Sequence, residues 1–304
     1  MAEPMTQADW LEAAGADPGP VAEVPGGKGR VLVWTNSALS MLEDCGERFR
    51  RRYIEREYVP PSPRQVRGTV VHRVASRALL RKLTEKTLPS AEETRDTAAT
   101  EFERVWQSGV KLSDEDLGRG IEAVAGESKD FAVDISAFHV TTIAPAITPI
   151  GVERRIRVKP RNSDLEITGT IDLIDQRPEG EAIRDLKTSE KSPNLTAAET
   201  SQQLTMYAMI RMAETGRLPA WLALDYAVRT PKKHETKHVE LRTTRDAGDI
   251  HALVNRINVG VEAVKRGVFM PANPTWWGCS KAWCEFYGTC VYVRRGDTRP
   301  QHTG

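Results

Sequence analysis

EITGTIDLIDQRPEGEAIRDLKT, residues 166–188, holds two alternating runs either side of a turn. In the first, Ile167, Ile171 and Leu173 oppose Thr168, Thr170 and Asp172, the two-residue period of a strand. RPEGE (177–181) reads as a hairpin linker. In the second run, Asp185 and Lys187 share one face, two residues and about 7 Å apart along the backbone. Upstream, GVERRIRVKP (151–160) alternates as well, with Val152, Ile156 and Val158 against Glu153, Arg155 and Arg157. NSD (162–164) would join it to the next strand. Three strands therefore each carry an acid: Glu153, Asp172 and Asp185. Two further runs, WLALDYAVRT (221–230) and KHVELRT (237–243), also read as strands.

Around these runs the pattern is helical. TNSALSMLEDCGERFRRRYIE (35–55) repeats Ala38, Met41, Leu42, Cys45, Phe49 and Tyr53 at three- and four-residue spacing, which turns Cys45 inward. RGTVVHRVASRALLRKL (67–83) predicts a helix starting near Gly68, and two more are expected over about 91–109 and 113–135. Helices at 196–216 and 245–267 flank the last two strands. The order predicts an α/β fold, a mixed central sheet flanked by helices, as one domain over 31–304. Its parts are a helical region (31–145), a sheet core (146–268) and a cysteine segment (269–293). Residues 1–30, broken by PGP and PGGKG, and 294–304 read as tails.

Composition narrows the classes. Lys and Arg number 43 and Asp and Glu 42, so bulk charge does not mark a nucleic-acid binder; basic surface must be local, as in RFRRRY (48–53), RRIR (154–157) and KK (232–233). No apolar run reaches the ~18 residues of a membrane span. The N-terminus lacks a secretory pattern, so a cytoplasmic location is expected, in a bacterium or a phage-infected host. In that reducing setting, clustered cysteines more often bind metal than pair. Three of the four cysteines, Cys279, Cys284 and Cys290, lie in GCSKAWCEFYGTC (278–290), and the fourth is Cys45.

Carboxylates on neighbouring strands beside a lysine suit phosphodiester hydrolysis. A hard divalent ion needs oxygen ligands, activates water and offsets charge on the phosphate, and a lysine can stabilise the charged intermediate. Each piece has a bland reading. Surface strands often carry Asp-x-Lys, Gln203 and Tyr207 at one-turn spacing suit any amphipathic helix, and a helical histidine such as His72 is often structural.

In order, the pieces resemble the RecB-like branch of the PD-(D/E)xK nuclease superfamily over about residues 34–293. They are TNSALSMLEDCGERF, Gly68-x-x-x-His72, Glu153, GTID with Asp172, DLK with Asp185 and Lys187, and Gln203-x-x-x-Tyr207. The resemblance implies a restriction-endonuclease-like core, with His72, Asp172, Asp185 and the Leu186 carbonyl as ligands of Mg²⁺ or Mn²⁺. It implies Lys187 as the catalytic lysine, Glu153 as a further acid, and Gln203 and Tyr207 as DNA-binding or active-site shell residues. A subset of the branch, including AddB-type domains and CRISPR-adaptation nucleases, carries a [4Fe-4S] cluster on one N-terminal and three C-terminal cysteines. That implies a clasp of Cys45, Cys279, Cys284 and Cys290. The C-x4-C-x5-C spacing here departs from the subset's C-x2-C-x5-C and keeps zinc as the alternative. The implied activity is a metal-dependent DNA exonuclease in recombination, repair or end processing, acting alone or with a partner protein. A non-catalytic DNA-end-binding or scaffolding subunit and an endonuclease of the same fold are the alternatives.

Overall fold

The computed structural model describes residues 32–159, 165–230 and 235–293. The NSD linker, the KK pair and the two tails lie outside them. The chain forms two compact units. Among the described residues, one comprises Pro60–Val158 and Gly169–Ile250; the other takes 32–59, the start of the 165–177 strand and 251–293.

In the first unit the long helix starts earlier than Gly68. Helix α3 spans Pro63–Glu85. Ser62 accepts from the Gln65 N–H while the Gln65 side chain accepts from the Ser62 N–H, a reciprocal cap with proline at the first helical position. Its Val66, Val70, Val71 and Val74 pack with Phe102 of α4 (Ala91–Gln107) and with Phe131 and Ile135 of α6 (Ile121–Phe138). The helix expected over 113–135 is divided at Gly120, where φ of +89° separates α5 (Asp114–Arg119) from α6. Helix α7 (Gln202–Thr215) begins six residues later than 196, at the capping side chain of Ser201, and ends at Gly216.

Strands β2 (Pro149–Val158), β3 (Leu165–Arg177), β4 (Gly180–Ser189), β5 (Trp221–Arg229) and β6 (Thr236–Thr243) form the sheet. β3 and β4 make an antiparallel hairpin closed at Arg177 and Gly180. β4 and β5 are parallel, with α7 as the crossover, and β5 and β6 are antiparallel. β2 pairs with β3. The result is the expected mixed sheet with helices against it. Among the described residues, no helix is long and apolar enough to cross a membrane.

The sheet is tied through a buried ionic knot. Arg184 of β4 donates to both carboxylate oxygens of Asp225 on β5, at 2.6 and 2.8 Å, and lies 2.8 Å from Glu240 on β6 and 3.4 Å from Asp175 on β3. Asp225 also meets His238 Nε2 at 2.8 Å. Burial alone would raise the Asp225 pKa, but His238 and Arg184 outweigh it and hold the carboxyl below its ordinary range. Removing one member strands the others. Arg184→Met should therefore cost about 3–5 kcal/mol in urea unfolding, as for a broken buried pair; a loss below about 1 kcal/mol would contradict the knot.

The second unit contains β1 (Leu32–Trp34), which pairs in parallel with Leu165–Ile167. The helix expected over 35–55 is broken. α1 (Asn36–Asp44) stops at Cys45, whose φ of −163° is extended, and α2 (Gly46–Phe49) restarts and runs into a wider π-helical turn at Arg50–Ile54. The break follows from Gly46, whose N–H donates to the Met270 carbonyl at 2.7 Å; a Cβ there would lie 2.6 Å from the Met270 nitrogen. Helix α8 (Ala247–Lys265) supplies Leu253, Ile257, Val261 and Val264 to this unit's interior.

The cysteine clasp is not formed. Cys45, Cys279, Cys284 and Cys290 form no disulfide and line one cavity with Trp276 and Phe286. Among the described residues, no group of three or more His, Cys, Asp or Glu side chains is placed to hold a metal ion. The Cys45 sulfur instead accepts from the Ala272 N–H at 3.3 Å. Burial pushes the Cys284 thiol up, favouring the neutral form over the thiolate that a metal requires. The segment is held by other means: Arg48 pairs with Glu285 at 2.7 Å, and Arg51 lies 4.2 Å over the Phe286 ring.

Candidate active site

The first unit brings most of the singled-out polar residues to one place. The Gly68 turn of α3 lies against Thr188 of β4, and one turn later His72 Nδ1 meets the Asp172 carboxylate at 3.2 Å. The other contact of that oxygen is the Leu186 N–H, at 3.3 Å. Asp185 is 1% exposed and sits 2.6 Å from the Lys187 ammonium. Lys187 donates to Gln203 Oε1 at 2.8 Å, and Gln203 donates to the Tyr207 hydroxyl at 2.8 Å. α7 can come this close to β3 because of Gly169, where a Cβ would lie 2.8 Å from Ile210 and 3.6 Å from Tyr207.

Glu153 joins them through an unusual backbone. It lies within β2 with φ of +48°, the left-handed region that non-glycine residues adopt at a cost. Its carboxylate accepts from the Ser76 hydroxyl of α3. Ser76 was not singled out in the sequence, although its place one turn after His72 is the signal that could have found it.

The electrostatics follow from crowding two carboxylates away from water. Burial would raise Asp172, but His72, Lys187 and the Leu186 N–H outweigh it and keep the carboxyl low. For Asp185 burial dominates over Lys187 and, with the nearby Asp172, pushes its pKa to about 6. Burial and Asp172 push Glu153 to about 7. Burial would lower His72, but Asp172 and Asp185 overcome it and raise its pKa to about 9. Burial likewise opposes the charge on Lys187, yet Asp185 and Asp172 raise it. The site thus pairs two acids, Asp172 half-buried and Asp185 buried, each with its own cation.

That pairing corrects one expectation. His72, Asp172 and Asp185 do not converge as a ready metal cage, since no such group exists among the described residues. His72 is turned to Asp172, and Lys187 to Asp185. Oxygen Oδ1 of Asp185 is nevertheless buried without a hydrogen-bond partner among the described residues, the kind of orphan acceptor that a hard cation satisfies.

The family model of the PD-(D/E)XK nuclease superfamily matches residues 33–291. The chain belongs to this superfamily. Its iron–sulfur branch is not supported, because the cysteines form no metal group among the described residues. A putative exonuclease from Eubacterium rectale is similar in structure, with a TM-score of 0.52 at 12% identity, covering 98% of this chain and 97% of that one. At that identity the likeness shows the fold. An alkaline exonuclease from Laribacter hongkongensis is 15% identical over 65% of this chain and 88% of that one, with a TM-score of 0.26. No curated protein matches the chain.

Within this nuclease core the His72–Asp172 pair makes a pH signature. The His72 pKa rises from 6.5 to about 9 on folding. Its stabilisation is then fully present below about pH 6.5 and is lost as pH climbs through about 9. With a chelator present, the stability difference between the native chain and His72→Gln should shrink steadily over that window. A difference that does not change from pH 6 to pH 9.5 would show that His72 carries no proton in the folded site.

Proposed function

We propose that this chain is a deoxyribonuclease that depends on Mg²⁺ or Mn²⁺ and removes nucleotides from DNA ends, as in recombination, repair or end processing. The observation that carries it is the Asp172–Asp185–Lys187 arrangement: a half-buried acid, a buried acid and an ammonium held together by α3, β3, β4 and α7. A protein that only binds or scaffolds DNA has no use for acids kept buried at this electrostatic cost. Asp172 and Asp185 would hold the ion, with His72 and the Leu186 carbonyl beside them. When bound, the ion supplies an activated water and charge stabilisation. Mg²⁺ commonly takes only one or two protein carboxylates and completes its shell with water and substrate phosphate oxygens. A site with two acids and no ready cage fits that habit.

The chain's own groups have separable tasks. Lys187, anchored by Gln203, places a fixed positive charge where negative charge grows on the phosphate. Tyr207 fixes Gln203 from behind. Glu153, raised to about 7, is suited to take or give a proton near neutrality. His72 relieves the charge of Asp172.

Asp185→Ala or Lys187→Ala should lower Mg²⁺- or Mn²⁺-dependent nucleotide release from linear DNA by a factor on the order of 10²–10³ while leaving the far-ultraviolet spectrum intact. Either variant degrading DNA at the native rate would refute the assignment. Covalently closed circles should be spared; their cleavage would make the chain an endonuclease.

A further inference from the structure

Strand β5 has one residue out of step with its neighbours. From Trp221 to Val228 every side chain is buried except Tyr226, which is half-buried. β5 is an interior strand, paired with β4 on one side and β6 on the other. A half-buried position in the middle of such a strand marks an opening in the layer above it. The register locates that opening: Tyr226 stands beside Lys187 of β4 and Val239 of β6, both also half-buried. Side chains in register leave a sheet on the same side, with strands about 4.8 Å apart. The phenol therefore rises next to the Lys187 ammonium, and it interacts electrostatically with both Lys187 and Asp185.

Lys187 is committed to Asp185 and Gln203. The Tyr226 hydroxyl, by contrast, has no hydrogen-bond partner among the described residues. Burial raises its pKa, so it remains a neutral donor. A free donor beside an ammonium, open to solvent, suits an anionic oxygen. Its place in the site gives it no evident structural duty, since Leu224 and Val228 fill the buried positions on either side.

We propose that Tyr226 is a substrate-contacting residue, its hydroxyl donating a hydrogen bond to a non-bridging phosphate oxygen of the DNA strand held at Lys187. This rests on the nuclease reading above. Tyr226→Phe removes the donor and keeps the ring, whereas Tyr226→Ala removes both. With the full-length chain, Mn²⁺ and linear DNA, Tyr226→Phe should raise KM about 10-fold, the size of one hydrogen bond to a charged group. Its kcat should stay within about twofold, and its thermal midpoint should not change. Native kinetics in Tyr226→Phe would overturn the proposal. So would a loss confined to Tyr226→Ala, which would mean that the ring stacks on a base. If the native chain shows no nuclease activity, the function proposed above falls, and the contact is read from binding alone. Fluorescence anisotropy of a labelled oligonucleotide should then give a Kd about 10-fold weaker for Tyr226→Phe. An equal Kd, or no binding by the native chain, would overturn the Tyr226 contact on its own.

Discussion

Two like charges held out of water govern this site. Asp185 is buried and Asp172 half-buried, and neither can stay ionised there without help. Each acid's help comes from its own cation: His72 reaches over from α3, and Lys187 stands two residues along β4. Much of the surrounding architecture serves to keep those partners in place. The α3 cap sets the helix from which His72 projects, Gly169 lets α7 approach β3, and Gln203 fixes the lysine. Beneath them the Arg184 knot ties β3, β4, β5 and β6, so the strands carrying the acids cannot slide. The site and the sheet are stabilised by the same kind of compensation, one facing the cleft and one sealed.

The strands and their acids were legible because the two-residue period survives in a sheet with one polar row. Asp172, Asp185 and Lys187 could be placed from alternation alone, and Gln203 and Tyr207 from helical spacing. What could not be read came from contacts distant in sequence. The break at Cys45 depends on Met270 pressing on Gly46, which no local window contains. Glu153 reaches the site only because its backbone turns left-handed inside a strand, a conformation that periodicity cannot foresee. Tyr226 lies in a run of apolar residues, where its half-exposure depends on what covers β5.

The cysteines show the limit of spacing as an argument. Their three-to-one division along the chain does bring four thiols to one cavity. A shared cavity is a weaker condition than a shared ligand point, and the second condition is the one not met among the described residues. Hydrogen bonding at Cys45 and the raised pKa of the Cys284 thiol suit half-buried, neutral sulfurs. The segment's anchorage comes from Arg48 and Arg51, two members of the local basic run at 48–53.

The capped start of α3 has a consequence for how this chain can vary. Ser62 and Gln65 lock the first turn, and Pro63 cannot sit inside a helix that begins earlier. His72 is therefore aimed by counting from a fixed origin. One residue inserted between Pro63 and His72 would swing the imidazole by about 100° around the helix axis, carrying it off Asp172 while leaving every side chain of the acid-bearing strands unchanged. Length in that short stretch is under tighter constraint than the identity of most residues within it.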